Sequence, residues 1–182
     1  MPDRPTRIVR LPGPECPAHL LARIDAIFVE TSPRLPPPGP ERDAFHERWL
    51  GRYLQGGTDV LLLALTGEGT LAGYLVGALD DPAPQPRFAD IAYFRTDFAA
   101  LTPHFPAHLH INLAAPFRNR GIGARLIEAF AEAARQAGAP GMHVVTGRGM
   151  RNVRFYERCG FVEVGSATRG GGEAVFLGRL LP

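Results

Sequence analysis

Six consecutive residues, Arg118-Asn119-Arg120-Gly121-Ile122-Gly123, set fixed positive charge and two glycines between a strand-like run, His108–Leu113, and a helix-like run, Ala124–Gln136. Glycines at this spacing let a chain leave a strand and turn sharply into a helix without a side chain obstructing a ligand. The first amides of a helix lack intrahelical partners and lie at the positive end of its dipole, so the turn suits an anion such as a pyrophosphate. The spacing is not Gly-x-Gly-x-x-Gly, and the Gly-Lys-Ser/Thr ending of a phosphate loop is missing, which removes two common nucleotide readings. Upstream, His108 and His110 alternate with Leu109, Ile111 and Leu113, which puts both imidazoles and Asn112 on one face of a strand. Downstream, Asn152 and Tyr156 stand about one turn apart on a short helix-like segment, so both can point into one cleft.

The elements that must position these groups follow from periodicity and from the prolines and glycines. Thr6–Leu11 predicts a short strand, and Leu20, Leu21, Ile24, Ile27 and Phe28 predict a helix that ends at Ser32-Pro33. Leu35–Pro40 is an extended loop, and Glu41–Gln55 a second helix with Phe45, Trp49 and Tyr53 one turn apart. Asp59–Thr66 and Thr70–Leu79 form a hairpin about Gly67-Glu68-Gly69, with Gly73 and Gly77 marking a bulge, a close backbone approach, or small residues fitted under a helix. Asp80–Pro106 is interrupted by prolines yet too apolar for a linker; it is expected to pack, with a short helix near Arg87–Phe94, and to carry substrate specificity. Strands over Ala107–Leu113 and Gly141–Thr146 flank the helix that carries Ile122, Leu126, Ile127 and Phe130 on one face. A short helix over Asn152–Phe161, stopped by Gly160, leads to a closing hairpin of Phe161–Ala167 and Glu173–Leu180.

Composition bounds the rest. A chain of 182 residues that is 45% apolar suits one domain over residues 1–182, and a net charge of +2 without a long basic run implies no nucleic-acid partner. Cys16 and Cys159 are too far apart for a zinc pattern or a disulfide framework, so both are expected as free thiols in a reducing compartment. Met1–Pro5 lacks the apolar core of a signal peptide and no stretch has membrane-spanning length, so the expected location is cytoplasmic with no membrane partner.

Arg118, Gly121 and Gly123 resemble the Gln/Arg-x-x-Gly-x-Gly/Ala signature of the Gcn5-related N-acetyltransferase (GNAT) superfamily, and Asn152 with Phe155-Tyr156 and Gly160-Phe161 resembles its late motif. The resemblance is good over Ala107–Val164. It implies an α/β (α+β) fold, a mixed and mainly antiparallel sheet splayed between its fourth and fifth strands and flanked by helices. It also implies acetyl-coenzyme A as co-substrate, with its pyrophosphate at Arg118, Asn119, Arg120, Gly121, Ile122, Gly123 and Ala124. Its pantetheine arm would pair with the backbone of Ile111, Asn112, Leu113 and Ala114, beside Asn152 and Phe155. Ala107–Leu113 also resembles the acetyltransferase-like domains found beside O-GlcNAc hydrolases and their free-standing bacterial relatives, and its His-Leu-His run is similar to that of arylalkylamine acetyltransferases.

An amine that attacks a thioester must lose a proton, and the departing sulfur must gain one. His108 and His110 are the candidate proton carriers, with packing histidines as the competing reading; a metal held with His104 lacks a cysteine or carboxylate ligand. Tyr156 is the candidate acid, a phenol able to donate to developing thiolate charge, against a ring that only packs. Asn152 is a cofactor contact or a helix cap. Among acidic residues, Glu30, Asp90 and Asp97 could hold an amine but more simply form surface ion pairs. The expected function is transfer of acetyl to the primary amine of a small molecule or peptide in a ternary complex, by a monomer or homodimer. The alternative is a non-catalytic coenzyme A-binding or protein-interaction module on the same fold.

Overall fold

The computed structural model describes residues 6–57 and 59–182; residues 1–5, on which the absence of a signal peptide was read, lie outside it. Seven strands form a mixed sheet in the order β1-β2-β3-β4-β5-β7-β6. The chain makes two compact units, one from the residues up to Ala78 with His110–Phe130, the other from Leu79–Leu109 with Ala131–Pro182.

In the first unit, β1 (Arg7–Leu11), β2 (Asp59–Leu65) and β3 (Leu71–Ala78) are antiparallel neighbours, and the second half of β4 (Ala107–Leu113) follows β3. All eight residues of β3 are buried, as expected of an interior strand with both faces covered. The β2–β3 turn closes where expected, with Gly69 at φ +82° and the Thr66 and Thr70 backbones bonded to each other. Ala64 pairs with Gly73 and Leu65 with Leu71, so Ala72 is the extra residue of a bulge. At the same place a side chain on Gly73 would come within 2.6 Å of the Asn112 carbonyl oxygen and 2.3 Å of the Leu113 side chain. The bulge and the close approach read from Gly73 therefore occur together.

Helix α1 (Ala18–Thr31) buries Leu20, Ile24, Ile27 and Phe28 of the stripe expected of it, while Leu21 is half-buried. Helix α2 is shorter than the sequence pattern indicated. It runs over Pro40–Trp49, and Leu50, at φ −142° and ψ −60°, breaks it before a 3-10 turn over Gly51–Leu54. Leu50 is fully buried, its amide still bonds the His46 carbonyl, and Gly51, the poorest helix former after proline, follows it. Tyr53 thus sits on the 3-10 turn, and Phe45 and Trp49 remain on α2.

In the second unit, the first half of β4 pairs in parallel with β5 (Gly141–Gly147), and β7 (Gly172–Leu180) runs antiparallel to both β5 and β6 (Val162–Arg169). Asp80–Pro106 packs as expected, but as two 3-10 turns, Pro86–Phe88 and Ala92–Phe94, in place of one helix near Arg87–Phe94. Ile91, at φ −101° and ψ 77°, separates them. Its Phe98 and Phe105 form an aromatic core with Phe176 of β7. Helix α3 (Ile122–Gln136) belongs to the first unit as far as Phe130 and buries Leu126, Ile127 and Phe130 there; in the second unit α4 (Arg151–Arg158) ends at Gly160, φ +82°.

Gly73→Ala should lower stability by about 1–3 kcal/mol, because both neighbours of the added methyl include backbone atoms of β4. Urea unfolding read by circular dichroism checks this.

Candidate functional site

The turn after β4 is built as its residue types dictate. A 3-10 turn over Ala115–Phe117 leads to Asn119 at φ 60° and Gly121 at φ 76°, and α3 starts at Ile122. Asn119 is the one non-glycine residue at positive φ among the described residues, a conformation Asn tolerates better than most side chains. Residues 118–121 and Ala124 are exposed, so the opening of α3 faces solvent, while Ile122 and Gly123 are buried beneath it.

Arg118 does not extend freely. Its Nε donates to the Leu113 carbonyl at 2.9 Å and its Nη2 to Glu30 Oε1 at 3.2 Å, and the same carboxylate oxygen accepts the Ala115 amide at 3.0 Å. Arg118 therefore braces the exit of β4 and ties the turn to α1. Arg120 lies 6.0 Å over the Phe117 ring. Ala114 donates its amide to Ala72 and accepts from Phe117, so both its backbone groups already have protein partners.

The two histidines of β4 meet different surroundings. His108 is 2% exposed and packs with Phe88, Phe94 and His143, its Nδ1 3.4 Å from the Pro106 carbonyl. His110 is partly exposed and belongs to the first unit, where its Nε2 lies 3.2 Å from the Tyr53 hydroxyl. The Trp49 and Tyr53 rings approach it edge-on, both with centroids at 5.2 Å. Burial, with the Arg52 guanidinium nearby, pushes the His110 imidazole down to about 4. The ring is uncharged at neutral pH. Asn112 donates its side-chain amide to the Tyr74 hydroxyl at 2.9 Å, and burial of Tyr74 pushes that phenol well up.

In the second unit, Tyr156 on α4 is 6% exposed and packs between Phe155 and Phe161. Burial first, and Cys159 second, push its phenol well above the ordinary value, so it keeps its proton at neutral pH. Asn152 is exposed and accepts the Thr146 hydroxyl at 3.0 Å; the cap of α4 is Met150, so Asn152 is not the cap. Glu30 pairs with Arg118 and Asp97 with Arg169. Among the described residues no cluster of three His, Cys, Asp or Glu could hold a metal ion, and no helix is long and apolar enough to cross a membrane. Cys16 and Cys159 are buried free thiols.

Tyr53, Arg52 and Tyr74 were not singled out from the sequence. Tyr53 carried a signal only as the third member of an aromatic spacing, and nothing in that pattern points to a histidine 57 positions later.

A sequence profile of the acetyltransferase (GNAT) family matches residues 22–161. Among similar solved structures, SsHAT has a TM-score of 0.68 at 23% identity, covering 96% of this chain and 98% of that one. The ribosomal-protein-alanine N-acetyltransferase of Brucella melitensis has 0.60 at 21% identity, covering 96% and 99%. A Bacillus anthracis protein solved in complex with acetyl coenzyme A has 0.54 at 18% identity, covering 72% and 68%. At these identities the likeness establishes the fold.

Because folding keeps His110 neutral down to about 4, against an ordinary value of 6.5, the unfolded chain binds the extra proton between these limits. The stability held above pH 6.5 should be lost as pH falls through this window, by about 3 kcal/mol at most. His110→Gln should flatten that part of the curve, measured by urea unfolding at pH 7.0, 6.0 and 5.0.

Proposed function

Because the chain belongs to the acetyltransferase (GNAT) family, we propose that it is an N-acetyltransferase that passes acetyl directly to the primary amine of a small molecule or peptide. Acetyl-coenzyme A is the co-substrate. The observation that carries the reading is the turn at Asn119–Gly121, two positive-φ residues exposed at the start of a 15-residue helix. A diphosphate fits there, because amides at a helix start attract an anion and the glycine keeps the approach clear. Arg118 braces the turn and, with Asn119, Arg120 and the amides through Ala124, receives the phosphates, and the backbone of Ile111–Ala114 meets the pantetheine arm. Asn152 and Phe155 contact the cofactor from α4.

His110 accepts the proton that the amine loses. It is partly exposed, so a substrate amine can reach it, whereas His108 is enclosed by aromatic rings and takes the packing role. Tyr156 gives a proton to the departing sulfur; a buried phenol that stays protonated is suited to that task. The protein acts as one domain over residues 1–182, as monomer or homodimer, in the cytoplasm, where Cys16 and Cys159 stay reduced. The likeness of Ala107–Leu113 to domains beside O-GlcNAc hydrolases favours one other reading, a module that binds coenzyme A without turnover.

Calorimetry with acetyl-coenzyme A, followed by thiol release across a panel of amines, separates the two. Binding with release is expected; binding with no release for any amine would support the module, and no binding would remove both. Tyr156→Phe should lower kcat by about a hundredfold while leaving the affinity for acetyl-coenzyme A within about twofold. An unchanged kcat would mean that another group serves the sulfur.

A further inference from the structure

Tyr53 and His110 are 57 residues apart in sequence and joined by one hydrogen bond inside the first unit. Tyr53 is 1% exposed, so its ring and hydroxyl are fixed by packing. The 3-10 turn that carries it also carries Arg52, 7% exposed, whose Nε donates to the Glu47 carbonyl at 3.2 Å. Trp49, the last residue of α2, closes on the imidazole from a second side, at an interplanar angle of 79° against 67° for Tyr53. Two aromatic edges and one hydrogen bond therefore set the orientation of this imidazole.

The contact is made at Nε2 and leaves Nδ1 as the other basic nitrogen. A phenol oxygen can accept as well as donate. Once a proton arrives on Nδ1 the ring is a cation, and Nε2–H must then be a donor, for which the Tyr53 oxygen is the partner in place. If Nε2–H already donates to that oxygen in the neutral ring, proton transfer needs no rearrangement of the pair. A base oriented by a third group is the general arrangement of activated proton acceptors.

We propose that Tyr53 is a positioning residue for the transfer reaction: it holds His110 by Nε2–H and so leaves Nδ1 to receive the proton of the acceptor amine. This rests on the reading of His110 as proton acceptor. In the step it serves, the amine nitrogen bonds to the acetyl carbon and the carbon–sulfur bond breaks. The amine proton passes to Nδ1, and the sulfur leaves as a thiol with a proton from Tyr156.

The test combines spectroscopy and kinetics. With 15N-histidine labelling at pH 7, the unmodified protein should show His110 as a single neutral tautomer protonated on Nε2; a proton on Nδ1 would overturn the proposal. Tyr53→Phe should replace that single tautomer by an averaged one and lower kcat by about tenfold on the fastest amine of the panel, with its KM within about twofold. A wild-type kcat in this variant would also overturn it. His110→Ala separates the two levels: full activity there removes the reading of His110 itself, whereas loss of activity there with an unaffected Tyr53→Phe removes only the role of Tyr53. If Tyr53→Phe does not fold, the tautomer in the unmodified protein decides.

Discussion

The parallel pairing of β4 with β5 consists of two pairs, Ala107 with Met142 and His108 with His143, and the strand changes character where it ends. Within the paired part the strand is interior, and its histidine is enclosed by Phe88, Phe94 and a second imidazole. Past it, all four residues His110–Leu113 are only partly buried. Alternation along the strand predicts one face for both histidines, yet His108 is fully enclosed while His110, between Trp49 and Tyr53, keeps some exposure.

The same strand is pressed from its β3 side by a contact that tolerates no side chain at Gly73. The bulge at Ala72 increases local twist, and the Ala114 amide still finds the Ala72 carbonyl beyond it. From there the chain has seven residues, Ala115–Gly121, in which to reverse into α3, and the Arg118 guanidinium with Glu30 holds them. Each member of that network is exposed and would be worth little alone. Jointly they organise the loop before any anion arrives, which reduces the ordering cost of binding.

The sequence made the strand and helix order legible because β2 and β3 are continuous apolar runs about a glycine turn, β4 alternates with period two and α3 carries a period-3.6 stripe, and Gly69, Gly121 and Gly160 mark real positive-φ positions. It was less informative where tertiary contacts override local preference. The helical spacing of Phe45, Trp49 and Tyr53 continues across Leu50, but the backbone of the buried Leu50 leaves the helical region, and Tyr53, on the 3-10 turn that follows, meets a strand residue far along the chain. In the same way Arg118 reads as a free cation by type and position, while its actual partners, Glu30 and the Leu113 carbonyl, follow only from how the turn folds back. Hydrophobic patterning locates a strand; it carries no information on which of two histidines on one face will be dry.

The chain contains a single tryptophan, Trp49, and it stands edge-on to His110 with ring centroids 5.2 Å apart. An imidazolium quenches indole emission far more than a neutral imidazole does, and no second indole contributes background. The protein thus carries an intrinsic optical reporter of the charge on one histidine, readable without labels while a proton moves through the pair.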